Sequence, residues 1–178
     1  MSSRAPGGIP AGQALWPFAA ALVVSWRVCL SAAALLALPL VAALWVLSLL
    51  GDSETSISIA VAVACYPVSL YLHELGHLCG VEWFAPHTVS TVRLDGTWGR
   101  ARIERSSAGT LGDACISIVG PIAGLWAMIP IAFLPGDPLY LVPWVLLFHS
   151  HLFALAPWSS DGRQILQVFV RNRSDLSY

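Results

Sequence analysis

Apolar residues in this chain come in long uninterrupted runs rather than at the spacing of a half-buried helix or strand. Residues 28–50, 57–72, 114–134 and 139–158 contain no Asp, Glu, Lys or Arg. Runs of about 20 apolar residues are the length that crosses a bilayer as a helix. The pattern predicts an all-α polytopic membrane protein with about four transmembrane helices. Pro39, Pro67 and Pro121 fall inside these runs, where each removes a helical hydrogen bond and favours a kink. The second run continues as helix to about Gly80. Before the first run, residues 14–26 are apolar but cover only about 20 Å as a helix, too short to span. With Trp16, Phe18 and Trp26 that stretch suits the membrane interface. The Ser-, Pro- and Gly-rich residues 1–13 predict disorder. The four parts are then a disordered and interfacial segment over 1–27, a first span over 28–50, a core over 57–166, and a tail over 167–178 with a short amphipathic helix from Gln164.

Between residues 85 and 109 the runs give way to alternation. Residues 89–94, the pair Asp95-Gly96, and residues 98–104 read as a small β-hairpin with an Asp-Gly turn, an irregular surface loop being the alternative. The free edge of such a hairpin can hold a peptide in extended form.

Composition agrees with the runs. Of 178 residues, 57% are hydrophobic and 11% charged, where a soluble domain carries about 25% charged. The net charge of −1 and scattered arginines exclude a nucleic-acid partner; the lipid bilayer is the partner this composition fits. The cysteines, Cys29, Cys65, Cys79 and Cys115, form no Cys-x-x-Cys pair and read as small packing residues.

The chemistry concentrates at His73-Glu74-Leu75-Gly76-His77, on the helix that continues the second run. Ionisable residues are costly at that depth, so a cluster of them points to function. On a helix, i and i+4 share a face, so His73 and His77 can ligate one metal ion. Glu74 points about 100° away from His73 and can reach a water on that metal. Gly76 leaves room for a neighbouring helix, as do Gly120 and Gly124 in Gly-Pro-Ile-Ala-Gly of the third run.

Arginines lie before the first run, between the second and third, and after the fourth. By the positive-inside rule both termini, the hairpin and the opening of the site are cytoplasmic. The second and fourth spans both run inward, which brings Asp161 to the depth of His73 and His77. Zinc needs a third protein ligand and keeps one position for water. Asp161 is the leading candidate; the bland alternative is an interfacial carboxylate paired with Arg163. His149 and His151 lie about 15–18 Å farther out along a continuous helix. One is expected to line a polar cavity and the other to pack against a neighbouring helix.

With these residues in place, the chain resembles the site-2 protease family of intramembrane zinc metalloproteases. His-Glu-Leu-Gly-His in one span, Gly-Pro-x-x-Gly in the next and Pro-x-x-x-Asp-Gly after the last carry the resemblance, over roughly 57–166. It implies a three-helix catalytic core, one Zn2+ per chain on His73, His77 and Asp161, and Glu74 as general base toward a zinc-activated water; the expected location is a bacterial cell membrane. The implied activity is hydrolysis of peptide bonds in membrane-embedded peptides or proteins. Two departures stand out: Ala154 occupies the position of a family Asn, and the interval from Pro157 to Asp161 is one residue short. Competing expectations are a non-proteolytic zinc-binding membrane protein and a metal permease using His73, His149, His151 and Asp161.

Overall fold

A computed structural model describes residues 9–10, 16–85, 91–98, 101–133 and 149–175. Its elements are β1 (Ile9–Pro10), α1 (Trp16–Leu50), α2 (Ser53–Phe84), β2 (Thr91–Gly96), β3 (Ala101–Arg105), α3 (Thr110–Leu125), a 3-10 stretch (Trp126–Phe133) and α4 (Ser160–Asp175). The molecule is mostly helical, with one small sheet. α1 and α2 are long and apolar enough to cross a membrane. They are the two such helices among the described residues, against the four spans expected.

The first difference from expectation is that the interfacial segment and the first span are one helix. Pro17 sits in its first turn, where proline is pre-organised for helix. No glycine interrupts the run as far as Leu50, and Pro39 is carried inside the helix. Arg27 does not end it: its Nη1 donates to Gly96 O at 3.0 Å, and its guanidinium lies 5.1 Å from the Trp26 ring. Nor is all of residues 1–13 disordered, since Ile9 and Pro10 pair antiparallel with Val92 and Thr91.

α1 turns into α2 through Gly51 and Asp52. Gly51 takes a φ of +74°, with Gly51 N–H bonded to Ser48 O and Asp52 N–H to Leu47 O, a Schellman closure. Asp52 then caps α2, accepting from Thr55 N–H at 3.0 Å. Hydrogen bonds from the Thr55 side chain and backbone hold the Asp52 carboxyl below its ordinary pKa. α2 packs against both α1 and α3. A Cβ on Gly76 would stand 2.7 Å from Ala123 Cβ and Val119 O, so α2 and α3 touch nearly backbone to backbone.

The sheet order is β1-β2-β3, and among the described residues no strand pairs with the outer edge of β3. The hairpin is present, but Asp95-Gly96 is not its turn. Asp95 pairs with Arg102 and Gly96 with Ala101, so both residues belong to the ladder. A Cβ on Gly96 would collide with Val24 O, so this glycine permits close approach to α1. The core joins Ala20 and Ala21 of α1, Leu78 and Val81 of α2, Val92 of β2 and Ile116 of α3, with Leu94 and Ile103 packed against it.

The third apolar run starts as helix at Thr110, earlier than expected, and tightens to 3-10 geometry at Trp126. Of the fourth run, residues 139–148 lie outside the described residues; 149–153 are helical and turns follow to Ser159. The tail helix begins at Ser160, before Gln164. All four cysteines are free thiols.

Candidate metal centre

His73 and His77 sit one turn apart on α2, and Asp161 enters from the first turn of α4. His73 Nε2 and His77 Nε2 are 3.1 Å apart. Asp161 Oδ2 lies 3.6 Å from the first and 3.5 Å from the second. A circle through a triangle of sides 3.1, 3.5 and 3.6 Å has a radius of about 2.0 Å, the length of a zinc–nitrogen or zinc–oxygen bond. The three residues fit a metal ion of that bond length and form a group that could hold one. The alternative, a pairing of Asp161 with Arg163, is not what the structure has. Arg163 Nε donates to Ser159 O at 3.1 Å.

Local structure explains how Asp161 gets there. Ser159 Oγ accepts from Gly162 N–H at 2.9 Å, capping α4. Its hydroxyl hydrogen is shared between the carbonyls of Ala154 and Ala156. A Cβ on Gly162 would collide with Ala156 O, so the turn closes only over glycine. Ser117 Oγ of α3 donates to Gln164 Oε1 at 2.7 Å and ties α4 down one turn later. An acidic residue in a helix's first turn is also favoured by the helix dipole. Burial would raise the Asp161 pKa, but the imidazoles of His73 and His77 outweigh that and hold the carboxyl below the ordinary carboxylate range.

Each imidazole is held by its other nitrogen. His77 Nδ1 is 2.8 Å from Ile116 O. His73 Nδ1 is 3.2 Å from His151 Nδ1, and His151 Nε2 is 2.9 Å from Ser69 Oγ. The two glycines of Gly-Pro-Ile-Ala-Gly do more than let helices approach. A Cβ on Gly120 would collide with the His77 ring, and one on Gly124 would stand 2.9 Å from His151 Nδ1. The expected offset of His151 from the ligand histidines does not hold: helix 149–153 gives way to turns before Asp161, which leaves His151 buried with its Nδ1 3.2 Å from His73 Nδ1, while His149 is exposed. No spacing or periodicity pairs His151 with His73, 78 residues away.

A cleft of about 790 Å3 opens on these residues. Glu74 lines it with His73, His77 and Asp161, interacts electrostatically with all three, and stands outside the ligand group. Ala101, Ile103, Glu104 and Arg105 of β3 form part of another wall, as does Ala154. β3 is clasped to α3 by Asp113, which accepts from Arg105, from Ser107 Oγ and from Ala108 N–H. Burial would raise the Asp113 pKa; these hydrogen bonds and the Arg105 charge lower it further than burial raises it.

Comparison of the chain with protein-family models, curated proteins and solved structures finds no match.

Proposed function

We propose that the chain is an intramembrane zinc metalloprotease of the site-2 protease kind, hydrolysing peptide bonds of membrane-embedded substrates with Glu74 as general base. One observation carries the reading: Glu74 shares a cleft with His73, His77 and Asp161 without belonging to their ligand group. A structural metal site is closed by four protein ligands and has no use for such a carboxylate. Zinc held by the three ligands supplies Lewis-acid polarisation of a carbonyl and acidifies water. Glu74 takes the proton of the attacking water and delivers it to the leaving amine as the C–N bond breaks. The outer edge of β3, beside the cleft and without a paired strand among the described residues, receives the substrate as an added extended strand.

The bilayer is the environment that suits α1 and α2. At 35 residues α1 is about 52 Å long, well beyond the roughly 30 Å hydrocarbon core. Residues 28–50 cross, and the first turns stand clear of the lipid against the hairpin. Arginine placement puts the termini, the hairpin and the cleft on the cytoplasmic side. The protein is then a multi-pass component of a bacterial cell membrane.

A second reading, zinc binding without proteolysis, is favoured by Ala154, which lines the cleft where the family it resembles carries an amide. Purified chain in lipid vesicles with membrane-anchored peptides distinguishes the two. Proteolysis predicts cleavage that stops with a chelator and returns with zinc. Zinc uptake with no cleavage of any peptide supports the second reading.

A further inference from the structure

We propose that His151 is a positioning residue of the metal centre, accepting a hydrogen bond from His73 Nδ1 and thereby fixing His73 Nε2 toward the metal. The inference rests on the metal-centre reading above and adds to it a residue outside the ligand set.

The hydrogens along this path have one consistent arrangement. A neutral imidazole carries a single N–H. His73 Nε2 faces His77 and Asp161, so as a ligand it offers a lone pair and its hydrogen resides on Nδ1. That N–H points to His151 Nδ1, 3.2 Å away, which must accept. The hydrogen of His151 is therefore on Nε2 and is donated to Ser69 Oγ at 2.9 Å. Ser69 passes its own hydroxyl hydrogen to Tyr66 O at 2.6 Å, where the path ends on backbone. Every donor along the path has an acceptor, and among the described residues no buried side-chain nitrogen or oxygen lacks a partner.

The fold makes a dedicated place for this ring. His151 is 4% exposed. Its ring centroid lies 5.2 Å from that of His73, tilted by 30°. Gly124 faces it, and even a methyl group there would press on the ring, with Cβ 2.9 Å from Nδ1 and 3.0 Å from Cε1. His77 is oriented by a backbone carbonyl that substitution cannot remove. His73 depends on a side chain, so the two ligands differ in how they can be disabled. Outer partners of this type fix ring orientation and raise ligand basicity.

Cobalt and zinc affinities of the full chain, measured against a competing chelator, test the proposal. His151→Leu is expected to weaken binding about 10–100-fold, the usual cost of losing such a partner. His151→Asn places an amide oxygen at the position of Nδ1 and is expected to stay within about threefold of the unchanged chain; His151→Gln, equally polar but with its oxygen one atom too far, is expected to bind as weakly as the leucine variant. The Asn–Gln contrast decides the matter if the leucine variant does not fold. His149→Leu is expected to change nothing. Full affinity in His151→Leu, or equal affinity in the Asn and Gln variants, overturns the role of His151 alone. A loss in His151→Leu as complete as in His73→Ala makes it a ligand and also overturns the proposal. Failure of the unchanged chain to bind either metal overturns the metal centre and this inference together.

Discussion

The two ends of the α1–α2 pair are built on opposite terms. Toward the Gly51-Asp52 turn, α1 buries no residue between 28 and 50, and Leu35, Leu38, Trp45 and Leu49 are exposed. Toward the other end, Ala20, Ala21, Val24 and Ser25 of the same helix are buried, and Ala20 and Ala21 share a core with Leu78 and Val81 of α2, the helix that carries His73 and His77. Both stretches are apolar in sequence. What separates them is what the backbone approaches: Val24 O lies against Gly96 of the hairpin, whereas no position of 28–50 is buried, its alanines included. Apolar surface without a protein partner is what a lipid-facing helix presents, while close packing around buried polar groups is what a site requires.

The contrast can be broken most severely at the site. Asp161→Ala removes a ligand and is expected to lower zinc affinity by more than the roughly 10–100-fold that loss of an outer partner costs. Zinc competition against a chelator checks it; near-normal affinity would place the third ligand elsewhere. Gly120→Ala comes next, because its Cβ would collide with the His77 ring. Overpacking of this kind costs about 1–3 kcal/mol, and both melting temperature and zinc affinity should fall. At the other end, Leu38→Arg places a charge at a position 79% exposed. Its expected penalty, about 2.5–3.5 kcal/mol at a span centre, falls on membrane insertion. Zinc affinity of the chain that does insert should not change. Reduced affinity there would mean the two ends are not separable.

The mildest change sharpens the picture of the cleft wall. Asp113→Ala releases β3 from α3 and is expected to raise KM for extended peptides several-fold, within the range expected of one lost charge-assisted contact, with zinc affinity intact. Its pH dependence has a definite sign. A carboxyl held below its ordinary value contributes stability that is present above about pH 3.9 and lost as pH falls through the lower folded value. The difference in melting temperature between the unchanged chain and Asp113→Ala should therefore be constant at neutral pH and vanish in acid.

Much of the site was legible because its signal is local. His73, Glu74 and His77 lie within one helical turn, and Asp161 follows from counting which runs point the same way. The glycines of Gly-Pro-Ile-Ala-Gly were readable as sites of close approach, but not as seats for two particular rings. His151 and Ile116 O were out of reach, since their roles depend on tertiary contacts with no sequence periodicity. The errors of fold have physical causes of the same kind. Arg27 looks like a boundary by charge, yet its side chain reaches Gly96 O and the helix continues. Gly96 looks like turn chemistry, yet its bare backbone serves contact with Val24. The 3-10 stretch Trp126–Phe133 ends α3 sooner than an apolar count suggests, and Pro130 lies within it.

The most direct test of the central claim is zinc content and peptide cleavage measured side by side in Glu74→Gln. Glu74 is assigned the proton and no part of the ligand group, so zinc per chain should match the unchanged protein while cleavage falls by about 10²–10⁴. Cleavage that survives the substitution, or zinc that is lost with it, contradicts the account.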